Sequence, residues 1–385
     1  MPSRSQRLVS YGISSTAAAA IVAAALLTPW ARPPADDGPG SVPTTNVTPS
    51  EPGTHAIDVV FAVDTTGSMG ELIEGAKRTV WSIATHIRQT DPNANLRIGL
   101  VAYRDAGDAY VTKPFSLTSD LDAVYAELAA YNADGGDDFP ENVAAALRDA
   151  LAMRWRAGAK KLIFVVGDAP PIDRGDARPY DVLAREAASS GIIINAIRCG
   201  SNPATATAFQ QLASLGGGDF STIAQDGGVK QVATPYDEKL AELSARIDRT
   251  AVIVGNEAAR AGYAAKMQAA EAAPAPAKAD RATYYARKAV AAKGHDLRDA
   301  DDLVGAYSVG ATDLGTVKPG ALPADLRGKS AAELKHELER RAEEREQAQR
   351  ELAKLAKDRD AYLSTKAGGG GFDAAVKATV EKQLK

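Results

Sequence analysis

Three oxygen-bearing side chains follow an apolar run of the chain at alternate positions. The run 59–63 stops at Asp64, and the hydroxyls of Thr66 and Ser68 come next, with Gly67 between them. Carboxylate and hydroxyl oxygens are hard ligands that suit Mg²⁺ or Ca²⁺, and a glycine helps a short loop turn them inward. The same hydroxyls are also common helix caps, and a helix is predicted to begin directly afterwards. The pattern therefore indicates either a cation site or a helix N-terminus.

Further carboxylates come at places that the predicted topology brings to the same edge. Asp168 follows the apolar run 162–166, which has the pattern of a second buried strand. Asp138 precedes Pro140 and Glu141, which suit the first turn of a helix. In open α/β sheets ligands bind beyond the carboxyl ends of the strands, so we expect these side chains to lie near Asp64.

Taken together, these segments resemble the von Willebrand factor A family and its metal-ion-dependent adhesion site. The Asp-x-Ser/Thr-x-Ser motif of that family is matched by Asp64, Thr66 and Ser68, and its later Gly-Asp pair by Gly167 and Asp168. The family usually has a threonine in a Gly-Gly loop between them, where this chain has Asp138. The resemblance covers residues 57–228.

The resemblance implies a function as well as a fold. It implies a non-enzymatic module that binds a protein partner through Mg²⁺, with Mn²⁺ and Ca²⁺ as alternatives, the partner supplying a carboxylate to an open position on the metal. Asp168 would act mostly by ordering metal-bound waters. A carboxylate at Asp138 would tighten cation binding and make the metal a poorer acceptor for a partner's carboxylate.

Two more acidic residues are candidate accessory groups. Asp137 adjoins Asp138, and Asp105 follows a predicted strand at the same edge. A turn with solvated charges is the other interpretation of Asp105. The pair Asp137 and Asp138 does not indicate acid and base catalysis, because no motif supplies a nucleophile or a substrate pocket.

Composition excludes one class of partner. The 385 residues include 45 basic and 49 acidic side chains, a formal net charge of −4, so no broad basic face is expected for nucleic acid. The single cysteine, Cys199, lies in an apolar run and is predicted to be a buried strand residue.

The N-terminal residues have the pattern of a targeting element. Arg4 and Arg7 precede a charge-free segment, so we expect 1–31 to be a cleaved signal peptide or an uncleaved membrane anchor. The Pro- and Gly-rich residues 32–54 are typical of a flexible linker. The predicted location is the periplasm or the outer side of an inner membrane, with secretion as the alternative.

Strand and helix patterns alternate over 55–228, which predicts a doubly wound, mostly parallel sheet with one antiparallel edge strand. A helical extension is expected over 229–271, an Ala/Pro linker over 272–280, and a helical or coiled-coil tail over 281–385. That tail is similar to those of bacterial exported von Willebrand A proteins. Arginines at heptad core positions of its long helix, Ser330 to Leu363, argue against a parallel dimer. Docking on the body and an antiparallel hairpin both remain open, as does the oligomeric state.

Two other functions compete with the binding module. One is an envelope scaffold that assembles through the tail helices and uses the metal only for stability. The other is a cation-dependent hydrolase or an accessory subunit of one. Partner capture that a chelator abolishes would favour the binding module.

Overall fold

The computed structural model describes residues 55–136, 141–172, 178–291, 301–366 and 370–384. Its strands are β1 (His55–Asp64), β2 (Ala94–Tyr103), β3 (Thr112–Thr118), β4 (Lys160–Gly167), β5 (Ile192–Cys199) and β6 (Gly217–Ile223). They form one sheet in the order β3-β2-β1-β4-β5-β6. All neighbours are parallel except β2 and β3, which form an antiparallel pair at the edge. The predicted fold class is confirmed.

Helices cover both faces of this sheet. The first five are α1 (Gly70–Thr90), α2 (Leu121–Ala129), α3 (Val143–Leu151), α4 (Tyr180–Ser189) and α5 (Pro203–Leu215). Alternate residues of β1 point to opposite faces: Phe61 packs with α1 and α2, and Val60 with α3, α4 and α5. Cys199 is buried at the end of β5, as its apolar surroundings predict.

Among the described residues, six further α-helices follow the sheet. They are α6 (Asp237–Arg249), α7 (Glu257–Ala272), α8 (Ala275–Ala291), α9 (Leu303–Ser308), α10 (Ala331–Ser364) and α11 (Phe372–Leu384). α8 begins at Ala275, so much of the stretch expected to be a linker is helical. Pro276 lies in the first turn of α8, where a helix tolerates proline because that residue's N–H has no partner within the helix.

α10 is one continuous helix and docks on the body of the protein. Its first residue follows Ser330, whose side chain forms a reciprocal capping box with Glu333. Arg359, which falls on a heptad core position, is buried and donates to Asp237 at 2.7 Å and to Asp280 at 2.7 Å. Arg345, another such position, donates to buried Asp302 at 2.5 Å. These arginines therefore attach α10 to other segments of the same chain. Of the two arrangements that the sequence left open, the described residues show docking on the body and not an antiparallel hairpin.

α11 returns to the face of the sheet that carries Phe61. The ring centroid of Phe372 lies 6.0 Å from that of Phe61. At the other end of the helix, Gln383 Nε2 donates to Asn195 Oδ1 at 2.7 Å. The backbone N–H of Phe372 donates to Gly227 O at 2.8 Å. One face of the sheet is thus covered in part by residues far beyond 228.

Several predicted features fall outside the described residues. These are the targeting segment 1–31, the linker 32–54, and the two carboxylates Asp137 and Asp138. Within the part of the chain that the structure does describe, no helix has both the length and the apolar character needed to cross a bilayer.

Candidate metal site

The loop after β1 places the first three predicted ligands together. Asp64 is fully buried, and its Oδ1 accepts hydrogen bonds from the Thr66 backbone N–H at 2.9 Å and from Thr66 Oγ1 at 2.7 Å. Thr66 Oγ1 and Ser68 Oγ are 3.4 Å apart. The second oxygen of Asp64, Oδ2, is buried with no hydrogen-bond partner. A buried carboxylate oxygen without a donor is costly, so it fits a bound cation.

The hydroxyls of this loop do not cap a helix. A 3₁₀ turn, Gly67–Met69, leads into α1, and the residues that precede the two helices are Thr66 and Met69. Neither end has a side-chain capping hydrogen bond. The helix-cap interpretation of Thr66 and Ser68 therefore finds no support in the structure.

Asp168 lies beside this loop and is held by a residue that the sequence analysis missed. Gln225 Nε2 donates to Asp168 Oδ2 at 2.6 Å and to the backbone oxygen of Ser68 at 3.2 Å. Asp168 Oδ1 is buried without a hydrogen-bond partner. Thr205 Oγ1 donates to the backbone oxygen of Asp168 at 2.8 Å, which fixes the loop after β4. Gln225 follows the last strand in no recognisable motif, so only its tertiary position shows this role.

A second residue that the sequence analysis did not assign to the site, the carboxylate Glu141, lies near it. Glu141 is 2% exposed, and its backbone N–H donates to Pro170 O at 3.0 Å, next to the Asp168 loop. Burial raises the pKa of Tyr103 well above its ordinary value, and the charges of Asp64, Glu141 and Asp168 raise it further. The sequence analysis assigned Glu141 only to the start of a helix.

The electrostatics of the site favour a cation. Burial raises the pKa of Asp64 from 3.8 to about 7, and the charge of Asp168 adds to this rise. Hydrogen bonds from Thr66 and the charge of Arg104 act in the opposite direction. Without a cation, ionisation of Asp64 is thus unfavourable, because the carboxyl group is buried and lies near the negative charge of Asp168.

Two glycines allow the close approaches that build the site. A Cβ on Gly167 would lie 2.5 Å from Tyr103 Oη and 3.3 Å from Asp64 Cβ. Gly136 has φ +80°, and a Cβ there would lie 2.7 Å from Thr66 Cβ. The loop that ends at Gly136 therefore packs directly on Thr66, and the chain then continues into Asp137 and Asp138.

Asp105 is buried rather than solvated. It is 1% exposed, and its backbone N–H donates to Asp108 Oδ2 at 3.3 Å. Its neighbour Arg104 is 4% exposed and donates to Thr65 O at 3.0 Å, while its guanidinium lies 4.6 Å from the ring centroid of Tyr110. The solvated-turn interpretation is therefore wrong, because this arginine ties the turn to the Asp64 loop.

The donors that fit a cation are two carboxylates and two hydroxyls. In the described residues, no group of three or more His, Cys, Asp or Glu side chains is arranged to hold a metal ion. An oxygen set with few protein charges suits Mg²⁺, which keeps several of its waters. It does not suit a structural zinc site, which takes cysteine and histidine.

Comparison with known proteins gives a family match for the segment that contains this site. Residues 58–229 match the family model described as von Willebrand factor A domain. This segment is a von Willebrand factor A domain. It makes up somewhat less than half of the chain.

Similar proteins align with about a third of this chain. The rat von Willebrand factor A domain-containing protein 7 is 36% identical over 133 residues, which are 34% of this chain and 14% of the rat protein. The alpha-protein kinase vwkA of Dictyostelium discoideum is 28% identical over 120 residues, 30% of this chain and 19% of the kinase. The chain thus spans less than a fifth of the length of either relative. A solved structure, the SpRpn10 VWA domain, aligns with 15% identity and a TM-score of 0.35, covering 44% of this chain and 88% of that domain.

Proposed function

We propose that this von Willebrand factor A domain is a non-enzymatic binding module that engages a protein partner through a divalent cation. Asp64, Thr66, Ser68 and Asp168 would hold the cation, which we expect to be Mg²⁺, with Mn²⁺ and Ca²⁺ as alternatives. The observation that carries the proposal is a pair of buried carboxylate oxygens, Asp64 Oδ2 and Asp168 Oδ1, that lack hydrogen-bond partners.

Each residue of the site has a definable task. Thr66 fixes the Asp64 carboxylate through two hydrogen bonds to Oδ1, which leaves Oδ2 for a cation. Gln225 fixes Asp168 in the same way by occupying Oδ2 and leaving Oδ1. A bound Mg²⁺ supplies an open coordination position for an oxygen from outside the chain.

Charge supports a carboxylate as that outside oxygen. Asp64 and Asp168 together carry two negative charges, which a divalent cation neutralises, so an approaching carboxylate meets no net repulsion from this set. If Asp138 contributes a third charge, the domain would hold the cation more tightly and the partner less tightly. Asp138→Thr is expected to reverse both effects.

Calorimetric titration with Mg²⁺ and Mn²⁺ tests the cation site. Asp64→Ala should abolish binding, and Asp168→Asn should weaken it by about 10- to 100-fold. Glu346→Gln, which alters an exposed ion pair with Arg350 on α10, is the matched control and should bind as the wild type does. Unchanged cation affinity in Asp64→Ala would refute the site.

Partner capture tests the function separately. Immobilised wild-type protein should retain a partner from an envelope extract in Mg²⁺ and release it in chelator, and Asp64→Ala should retain none. Capture that persists in chelator would contradict engagement through the cation, even if the titration shows a cation site.

We also propose that the protein is exported, on the basis of the charge pattern of residues 1–31. Residues 1–51 fused to a reporter that is active only outside the cytoplasm should give activity. Replacing Arg4 and Arg7 by glutamate should reduce it. A fusion that works only with a cytoplasmic reporter would exclude export.

A further inference from the structure

A groove lies where the C-terminal end of α1 meets α8 and α10, away from the loops that carry Asp64 and Asp168. Its volume is about 360 Å³, within the range of small-molecule sites. Small or apolar side chains and basic side chains line it together. The lining includes the charged residues Arg88, Arg287, Lys357 and Asp360 and the apolar residues Pro92, Ala353 and Ala356.

The basic side chains of this groove are incompletely paired. Arg88 Nε and Arg287 Nε are both buried and have no hydrogen-bond partner. Arg287 forms an ion pair with Asp360, whereas Arg88 lies against the ring of Tyr284, with 5.5 Å from Cζ to the centroid. Lys357 is exposed at the rim. Three cations and one carboxylate give the lining a net charge of about +2.

This imbalance contrasts with the other arginines at the same helix interfaces. Arg281 on α8 donates to both oxygens of Asp122 at 2.6 Å and also pairs with Asp248. Arg359 on α10 pairs with two carboxylates as well. A buried guanidinium is costly unless its N–H groups are satisfied, and the chain meets that need at both residues. At these helix interfaces, the buried Nε atoms of Arg88 and Arg287 lack a hydrogen-bond partner.

We propose that this groove binds a phosphate monoester, with its phosphate between Arg88, Arg287 and Lys357 and its apolar part along Pro92, Ala353 and Ala356. Two guanidinium groups offer N–H donors in planar forks that match the oxygens of a phosphate. The dianion balances the net charge of the lining. The alanines leave room for a slender or flat organic group.

Calorimetric titration of the full chain with phenyl phosphate tests the site, with inorganic phosphate and neutral benzyl alcohol as comparison probes. Phenyl phosphate should bind at one site per chain and more tightly than either comparison probe. Lys357→Glu should weaken its binding about tenfold or more, because a charge-assisted contact is replaced by a repulsive one. Lys354→Glu makes the same charge change one turn away on exposed α10 surface and should have little effect.

Arg88→Lys supplies the second variant, since it keeps the charge and removes the fork. It should weaken phenyl phosphate binding while leaving the melting temperature close to that of the wild type. No saturable heat with phenyl phosphate would overturn the proposal. Equal losses in Lys357→Glu and Lys354→Glu would also overturn it, because they would show long-range attraction in place of a site. Affinity for benzyl alcohol equal to that for phenyl phosphate would exclude an anion site.

Discussion

Replacing Asp64 by asparagine should stabilise the cation-free protein at neutral and alkaline pH. Asp64 is fully buried, and burial followed by the charge of Asp168 raises its pKa from 3.8 to about 7. The folded state therefore binds this proton more tightly than the unfolded state does. The wild type should lose stability as the pH rises from about 4 to about 7, where the unfolded chain releases the proton first.

The size of the effect follows from the pKa change. Each pKa unit corresponds to about 1.4 kcal/mol, so a rise of about three units makes ionised Asp64 unfavourable by about 4 kcal/mol. Asparagine keeps an oxygen for the two hydrogen bonds from Thr66. Its amide N–H₂ would take the place of Oδ2, near the Asp168 carboxylate. Asp64→Asn should thus gain up to about 4 kcal/mol at pH 8 and almost nothing at pH 4.

Urea unfolding in chelator at several pH values measures this difference, and Asp58→Asn is the matched control. Asp58 is equally buried and lies on the same strand, but at its other end. Burial alone would raise the pKa of Asp58, but hydrogen bonds from Arg97 and Arg156 outweigh burial and hold it below the ordinary value. Asp58→Asn should therefore destabilise the protein at pH 8, by about 3–5 kcal/mol, because it breaks a buried ion pair.

The opposite signs at the two ends of β1 make the prediction easy to refute. A loss of stability in Asp64→Asn at pH 8 in chelator would show that the carboxylate is stabilised by neighbours without any cation. A difference from the wild type that does not change between pH 4 and pH 8 would show that Asp64 titrates normally in the folded state. Adding Mg²⁺ should then reverse the order, since only the wild type binds the cation.

Three other changes test the packing around the site and the tail. Gly136→Ala should weaken Mg²⁺ binding in calorimetry, because φ is +80° and the new Cβ would meet Thr66. Gly107→Ala is the control for backbone strain alone, because Gly107 has φ +110° and open space around the position of a Cβ. The fragment 55–228 should bind a hydrophobic dye and unfold at lower urea than 55–384, because it lacks the apolar side chains of α11, each contributing about 1.5–3 kcal/mol. Arg281→Met should cost about 3–5 kcal/mol in urea unfolding, since it leaves the buried Asp122 carboxylate without that guanidinium.

The sheet could be predicted from sequence because its strands are local signals. β1 and β4 are near-continuous apolar runs, and such runs are typical of parallel strands covered on both faces. The short connection between β2 and β3 similarly indicated the antiparallel edge. These features depend on residues close together in the chain.

The site was only partly predictable because some of the residues that position its carboxylates lie in distant loops. Asp64 and Asp168 stand at strand ends, where the topology alone brings them to one edge. Gln225, which holds Asp168, and the buried Glu141 have no pattern of their own. The sequence could not show that Asp105 is buried, because its neighbour Arg104 anchors the turn through contacts with distant segments. Arg104 donates to two backbone oxygens, Thr65 O and Asn132 O.

The tail was the hardest part to predict, and its placement changes the meaning of the domain boundary. Arginines at heptad core positions argue against a symmetric coiled coil, but periodicity cannot show that their partners are aspartates elsewhere in the same chain. Nor can it show that α11 packs on Phe61. Because Phe372 N–H donates to Gly227 O, two residues beyond Gln225, the end of the chain adjoins the segment that positions Asp168. The match to 58–229 therefore marks a family relationship, whereas the compact unit that contains the sheet also includes α11.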